Sequence, residues 1–189
     1  MAKSKADEKL DKVSAIIDAF GEKWDYGRAY AILDKLTVRV DEDPIASGID
    51  AMRAKMARVV NYHALVAKMF RRALRNEGVA RKRARIKEEM LKAGRNEMLA
   101  TDEDVQSGRS REDRESLANV KLKVAINELR SAKDSLTDAE TFTKCVKIAA
   151  DNLVEAREAI SRQFSMITQE INLGLITGES FSPDDGRLE

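Results

Sequence analysis

The sequence predicts an all-α protein, a long helical hairpin or bundle preceded by short N-terminal helices, on two observations. Aromatic residues make up 5% of the chain and there are two prolines, against 35% charged residues, a balance that suits long helices better than sheets. Apolar residues also recur at alternating steps of three and four over many turns in two separate stretches, the spacing of helices that pair along a seam. At 189 residues and 43% hydrophobic content, one core with extensions is the expected size.

The elements follow in order. After Asp7 and Glu8, Leu10, Val13, Ile16 or Ile17 and Phe20 mark a first short helix that Gly21 ends. A second covers 24–36, with Tyr30, Leu33 and Leu36 on one side, before Thr37 to Val40 and the acidic turn Asp41-Glu42-Asp43. These two make up an accessory region, 1–43. Pro44 suits the first turn of the next helix. From there Ile45, Ile49, Met52, Met56, Val59, His63, Val66, Phe70, Ala73 and Glu77 form the first long seam, giving a long helix over 44–99. Gly78, which costs about 1 kcal/mol relative to Ala inside a helix, predicts a kink or break, and Gly94 a stop. Residues 100–113 lack periodicity and contain Ser107-Gly108, so they read as a mobile acidic loop. Ser110 with Asp113 is a helix start.

Residues 114–174 are expected as a C-terminal helical pair. The first member carries Leu117, Val120, Leu122, Val124, Ile126 and Leu129, and Ser135-Leu136-Thr137-Asp138 interrupts it. The second carries Phe142, Val146, Ala149, Leu153, Ala156, Ile160, Phe164 or Gln163, Ile167 and Ile171, up to Gly174; a loose tail, 175–189, follows. Ala149, Ala150, Ala156 and Ala159 are small enough for a partner helix to approach closely. The seam residues Phe142, Val146, Leu153, Ile160, Phe164 and Ile167 are therefore expected to hold copies of the chain together.

Catalytic chemistry is not expected. Nucleophile and base pairs, and zinc sites, need clustered His, Cys or carboxylate groups, and the chain has one His and one Cys. His63 reads as a hydrogen-bonded histidine of a core or interface, and Cys145 as a small buried hydrophobe. Adjacent carboxylates such as Glu88-Glu89 read as solvated charge, and no glycine-rich phosphate cradle is present. No metal, cofactor or enzymatic activity is predicted. No apolar run approaches the roughly 18 residues of a membrane span, the single Cys cannot form an internal disulfide, and the N-terminus lacks the apolar core of a secretory signal. A cytoplasmic protein without membrane contact is the expectation.

The formal charge of +1 conceals a partition: 8 basic and 11 acidic groups in 1–50, 14 and 4 in 51–99, 12 and 18 in 100–189. The concentration is sharpest over 68–95, where Lys68, Arg71, Arg72, Arg75, Arg81, Lys82, Arg83, Arg85, Lys87, Lys92 and Arg95 face only Glu77, Glu88 and Glu89. Like charges at i and i+4, as in Arg71 with Arg75 and Arg81 with Arg85, destabilise a helix by a few tenths of a kcal/mol each, which an anionic partner would offset. Arg outnumbers Lys, which suits planar contact with phosphates. With only Tyr62 and Phe70 as nearby aromatics, binding through the backbone without strong sequence preference is expected. The alternative is that this basic face pairs with acidic surfaces of the same assembly.

The order of these features resembles the UvsY-like bacteriophage recombination mediator family over about residues 51–171. Ala84-Arg85-Ile86-Lys87 resembles that family's hydrophobic-basic-x-basic element, Ser107-Gly108-Arg109 its polar loop, Asp113-Arg114 the opening of its next helix, and Ala159-Ile160-Ser161-Arg162-Gln163-Phe164 a run of its C-terminal helix. Glu88-Glu89 departs from the pattern, and 1–43 has no counterpart in it. The resemblance implies a ring-like homo-oligomer built through the C-terminal helix that binds single-stranded DNA, with Arg85 and Lys87 in DNA contact, and that loads a RecA-like recombinase onto strands covered by single-strand-binding protein. An oligomeric virion or scaffold protein is the alternative function, a duplex-DNA architectural protein a third.

Overall fold

The computed structural model describes residues 5–19, 25–40 and 48–173, with no strand among them. Among the described residues the helices are α1 (Lys5–Ala19), α2 (Tyr26–Lys35), α3 (Ile49–Thr101), α4 (Glu103–Gln106), α5 (Arg111–Lys121) and α6 (Lys123–Asn172). The all-α hairpin is as the sequence predicts: α3 packs against α6. The chain divides into two compact units, one of Met1–Phe70 with Cys145–Glu189 and one of Arg71–Lys144, and both long helices run through both.

In the first unit, Asp25 opens α2 by accepting the Arg28 N–H at 3.0 Å. Gly48, at φ 74°, takes the left-handed conformation that glycine adopts without steric cost, and its carbonyl accepts the Met52 N–H at 3.2 Å. One buried cluster joins Met52 and Val59 of α3 to Ala156, Ile160 and Ile167 of α6, with half-buried Val38, Val40 and Phe164 against it. Lys68 Nζ donates to Ser14 Oγ at 2.7 Å and pairs with Asp18, tying α3 to α1.

The second unit is built on smaller residues. Ala73, Ala84, Ala118, Ala132 and Ala139 are buried, with Val105 and Phe142 as the large apolar members. Helices lined with alanine approach closely, as ridge-into-groove packing allows when contact side chains are small. Arg81 with Glu140 and Glu88 with Lys133 fix an antiparallel register. Ser110 and Asp113 form a reciprocal capping box at the start of α5, as the sequence predicts. Gly108 is required there: a Cβ would lie 2.9 Å from Arg114 Cγ and 3.0 Å from its backbone nitrogen, and its carbonyl accepts from Arg114 Nε at 3.0 Å.

Several expectations are corrected. Gly78 and Gly94 lie inside an unbroken α3, because neither carries a positive φ and a propensity cost of about 1 kcal/mol is small beside tertiary packing. The expected break at 135–138 is also absent: Ser135 Oγ donates to the Ser131 carbonyl and Thr137 Oγ1 to the Lys133 carbonyl, so both hydroxyls are satisfied within a continuous α6. The only interruption between Arg111 and Asn172 is a bend at Leu122. Residues 100–113 are not an aperiodic loop. α3 runs to Thr101, and Asp102 caps α4, accepting the Val105 N–H at 3.1 Å. Val105 is fully buried, and Lys121 holds Asp102 and Asp104. His63 is exposed, not on the seam; Leu65 and Met69 are buried instead. The expectations for Phe20, Gly21, the turn at 41–43, Pro44, Ile45, Gly174 and the tail lie outside the described residues.

The residues expected to join subunits are spent within the chain. Phe142, Val146, Leu153, Ile160 and Ile167 are 0–3% exposed, and Phe164 packs half-buried on the same cluster. A seam read from sequence does not distinguish a partner helix in the same chain from one in another copy, and here Ile160 and Ile167 meet Met52 and Val59 of α3.

Candidate nucleic-acid interface

All ten cations predicted to contact DNA stand on the part of α3 inside the second unit. The helix shows its partners a seam of Ala73, Glu77, Ala80, Ala84, Lys87, Leu91, Arg95 and Met98, at steps of three and four. Cations on or beside this seam meet carboxylates. Arg81 bridges Glu77 at 2.8 Å and Glu140 at 3.0 Å; Lys87 reaches Glu128 at 2.6 Å; Arg95 reaches Glu115 at 3.1 Å. Arg85, farther out, pairs with Glu89 of its own helix at 2.9 Å. The hydrogen bond that Arg81 donates to Glu140, then the charge of Glu77, raises the Arg81 pKa, and a hydrogen bond to Glu89 with its charge does the same for Arg85. Both were charged at any physiological pH already. Arg72 has a partner as well.

Arg71, Arg75, Lys82, Arg83 and Lys92 differ: all five are exposed and none makes an ion pair among the described residues. At about 100° per residue, Arg71, Arg75 and Lys82 fall within about 40° of one another, on the side of α3 away from the seam. Arg83 and Lys92 flank that stripe. From Arg71 to Lys82 the stripe extends about 16 Å at the helical rise, and Arg83 and Lys92 lie roughly 80–100° to opposite sides of it. The two residues that the family resemblance singles out, Arg85 and Lys87, are both engaged by carboxylates, and the free charge lies around them.

The Arg81 and Arg85 side chains are 63% and 80% accessible, while Lys87 and Arg95 are half-buried. Exposed pairs like those of Arg81 and Arg85 contribute little and are screened by salt, so a phosphate can compete for the cation. Val79, Ile86 and Met90 are 44–61% exposed on the same stretch. What sequence reading missed is the set of acidic partners on α5 and α6, Glu115, Glu128 and Glu140. The signal that finds them is the hairpin register, since residues equally far from the turn on the two arms meet.

Among the described residues no group of three or more His, Cys, Asp and Glu is placed to hold a metal ion. Cys145 is a half-buried free thiol with Tyr30 Oη at 3.9 Å from its sulfur. No helix among the described residues is long and apolar enough to cross a membrane. Fold and charged face together define a class, an all-α antiparallel hairpin with one basic arm. No protein-family model, curated protein or solved structure matches the chain.

Proposed function

We propose that the chain binds single-stranded DNA along the outward face of α3 and serves as a recombination mediator, helping a RecA-like recombinase load onto strands covered by single-strand-binding protein. The observation that carries the binding step is the stripe of exposed cations Arg71, Arg75 and Lys82, with Arg83 and Lys92 to either side of it, all five without a carboxylate partner among the described residues. Aligned guanidinium and ammonium groups gain most from a polyanion because each neutralised phosphate releases condensed counterions. Backbone contacts of this kind carry no base code, which suits a protein that must act on any exposed strand. The mediator role rests on the resemblance in the order of motifs. In this reading the recombinase supplies ATP hydrolysis.

The test is a titration of labelled oligo(dT) and a matched duplex at several salt concentrations. Single-strand binding whose logarithm falls linearly with log salt is expected. Replacing Arg71, Arg75, Lys82 and Arg83 by Ala should flatten that slope by about 0.7 for each phosphate no longer neutralised, while helix content stays unchanged. Binding that survives the quadruple replacement, or that prefers duplex, overturns the reading. Displacement of single-strand-binding protein in the presence of recombinase tests the second half.

A second reading, an assembly protein, is favoured by Val79, Ile86 and Met90, which expose apolar surface at helical spacing beside the cations. Native mass measurement with and without oligo(dT) separates the two: assembly that needs no DNA and is lost in Ile86→Asp with Met90→Asp supports the second.

A further inference from the structure

A second group of cations without ion pairs among the described residues lies in the unit that carries α1 and α2, and it has a different shape. Lys9 of α1, Lys35 at the end of α2 and Arg58 of α3 stand around one groove of about 450 Å³. Leu10, Val13, Leu36, Ala54 and Ala57 supply its apolar lining, and Asn61 and Tyr62 complete it. No acidic residue is among the described residues lining the groove. Lys9, Lys35 and Arg58 are exposed, and none makes an ion pair among the described residues. Three helices thus bring three positive charges, unpaired among the described residues, to the rim of one apolar depression.

We propose that this groove docks an acidic peptide segment of a partner protein, whose carboxylates meet Lys9, Lys35 and Arg58 while an aliphatic or aromatic side chain enters over Leu10, Val13 and Leu36. Charge complementarity fixes the sign of the occupant. The lining fixes its chemistry: burying an apolar anchor between charged contacts is how a short peptide gains both affinity and register. A nucleic-acid strand fits less well. Strand binding joins a tracking row of cations to aromatic faces on which bases stack, whereas these cations converge from three helices and the single aromatic here, Tyr62, is half-buried. The outward row on α3 has the opposite character, a line of charge along one rod. The inference is independent of the DNA-binding proposal and assigns a role to the N-terminal helices, which that proposal leaves unused.

The experiment is fluorescence anisotropy on the intact chain with three probes: a fluorescein-labelled acidic peptide bearing two leucines and a phenylalanine, the same peptide with those three residues changed to serine, and labelled oligo(dT). The expected result is micromolar binding of the first peptide and at least about tenfold weaker binding of the second. Combined Lys9→Glu, Lys35→Glu and Arg58→Glu should weaken the first peptide by about tenfold or more. Ala57→Trp, which fills the groove and leaves every charge in place, should do the same. Replacing Arg71, Arg75 and Lys82 should leave peptide binding unchanged. The proposal is overturned if the peptide fails to bind, if the serine peptide binds equally, or if binding survives both the charge reversal and Ala57→Trp. It is overturned in favour of a nucleic-acid site if the reversal weakens oligo(dT) as much as the peptide.

Discussion

The unit containing α1 and α2 almost completely buries Ile17, Met52, Met69, Ile160 and Ile167, whereas residues 71–144 bury chiefly alanine, at positions 73, 84, 118, 132 and 139. An alanine removes far less apolar surface from water than an isoleucine or methionine. The second unit therefore relies more on close helix approach, on Phe142 and Val105, and on the caps and charge pairs around its turn. Two helices packed on a narrow alanine seam leave most of each circumference facing solvent. The cations on that free surface go without carboxylate partners among the described residues; in the first unit Lys68 is drawn onto Asp18 and Ser14, while Lys9, Lys35 and Arg58 make no ion pair among the described residues.

This contrast is tested most sharply at Ile160. Ile160→Ala deletes a side chain that is 1% exposed and should cost about 2–5 kcal/mol, measured by denaturant unfolding. Hydrogen exchange should accelerate first in 49–70 and 145–173. Equal acceleration in 71–144 would mean that the two units share one cooperative core. Ala84→Leu probes the other side. It forces extra carbons into the alanine seam and should destabilise by about 1–3 kcal/mol; a neutral result would show that the hairpin is loosely packed there. Gly78→Ala has the opposite sign. Gly78 lies inside α3 with nothing within 4 Å of an added Cβ, so the change should stabilise by about 0.4–1 kcal/mol, seen as a higher midpoint in the same unfolding experiment.

Much of this fold is legible in the sequence because helical periodicity is a local signal. Met52, Val59, Leu153 and Ile160 are spaced as seam residues and are buried as such. The Ser110 and Asp113 capping box is equally readable, being closed within four residues. Punctuation and partnership are not. Gly78, Gly94 and Ser135 look like breaks only if propensity acts alone, and packing along both arms overrides it. A strict alternation of four and three puts His63 on the seam; the buried face instead turns to Leu65, Val66 and Met69. The charged face is half legible. Composition finds the concentration of cations, but which of them are already matched depends on contacts across the hairpin, such as Lys87 with Glu128, 41 residues apart, and no local pattern contains that.

The mildest perturbation acts at the turn of the second unit. Lys121 Nζ donates to Asp102 at 2.7 Å and to Asp104 at 2.8 Å. The Lys121 hydrogen bond, followed by the Val105 N–H, holds the Asp102 carboxyl below its usual range, and bonds to Asp102 and then Asp104 raise the Lys121 ammonium above its own. A carboxyl with a lowered folded pKa contributes stability that is present above its unfolded value, about 3.9, and is lost as pH falls through the folded pKa. A lysine with a raised folded pKa contributes stability that is present below its unfolded value, about 10.4, and is lost as pH rises through the folded one. The cluster is thus intact across the neutral range and weakens at both extremes. Backbone NMR shifts of 102–106, followed against pH, should move in those two windows and stay flat between them. Lys121→Met should abolish the alkaline step and shift the acid step upward towards the ordinary Asp range. A step unchanged by Lys121→Met would assign the lowered Asp102 value to its helix-capping bond with Val105 alone. In that case the turn of the alanine-seamed unit would be held by backbone geometry and not by charge.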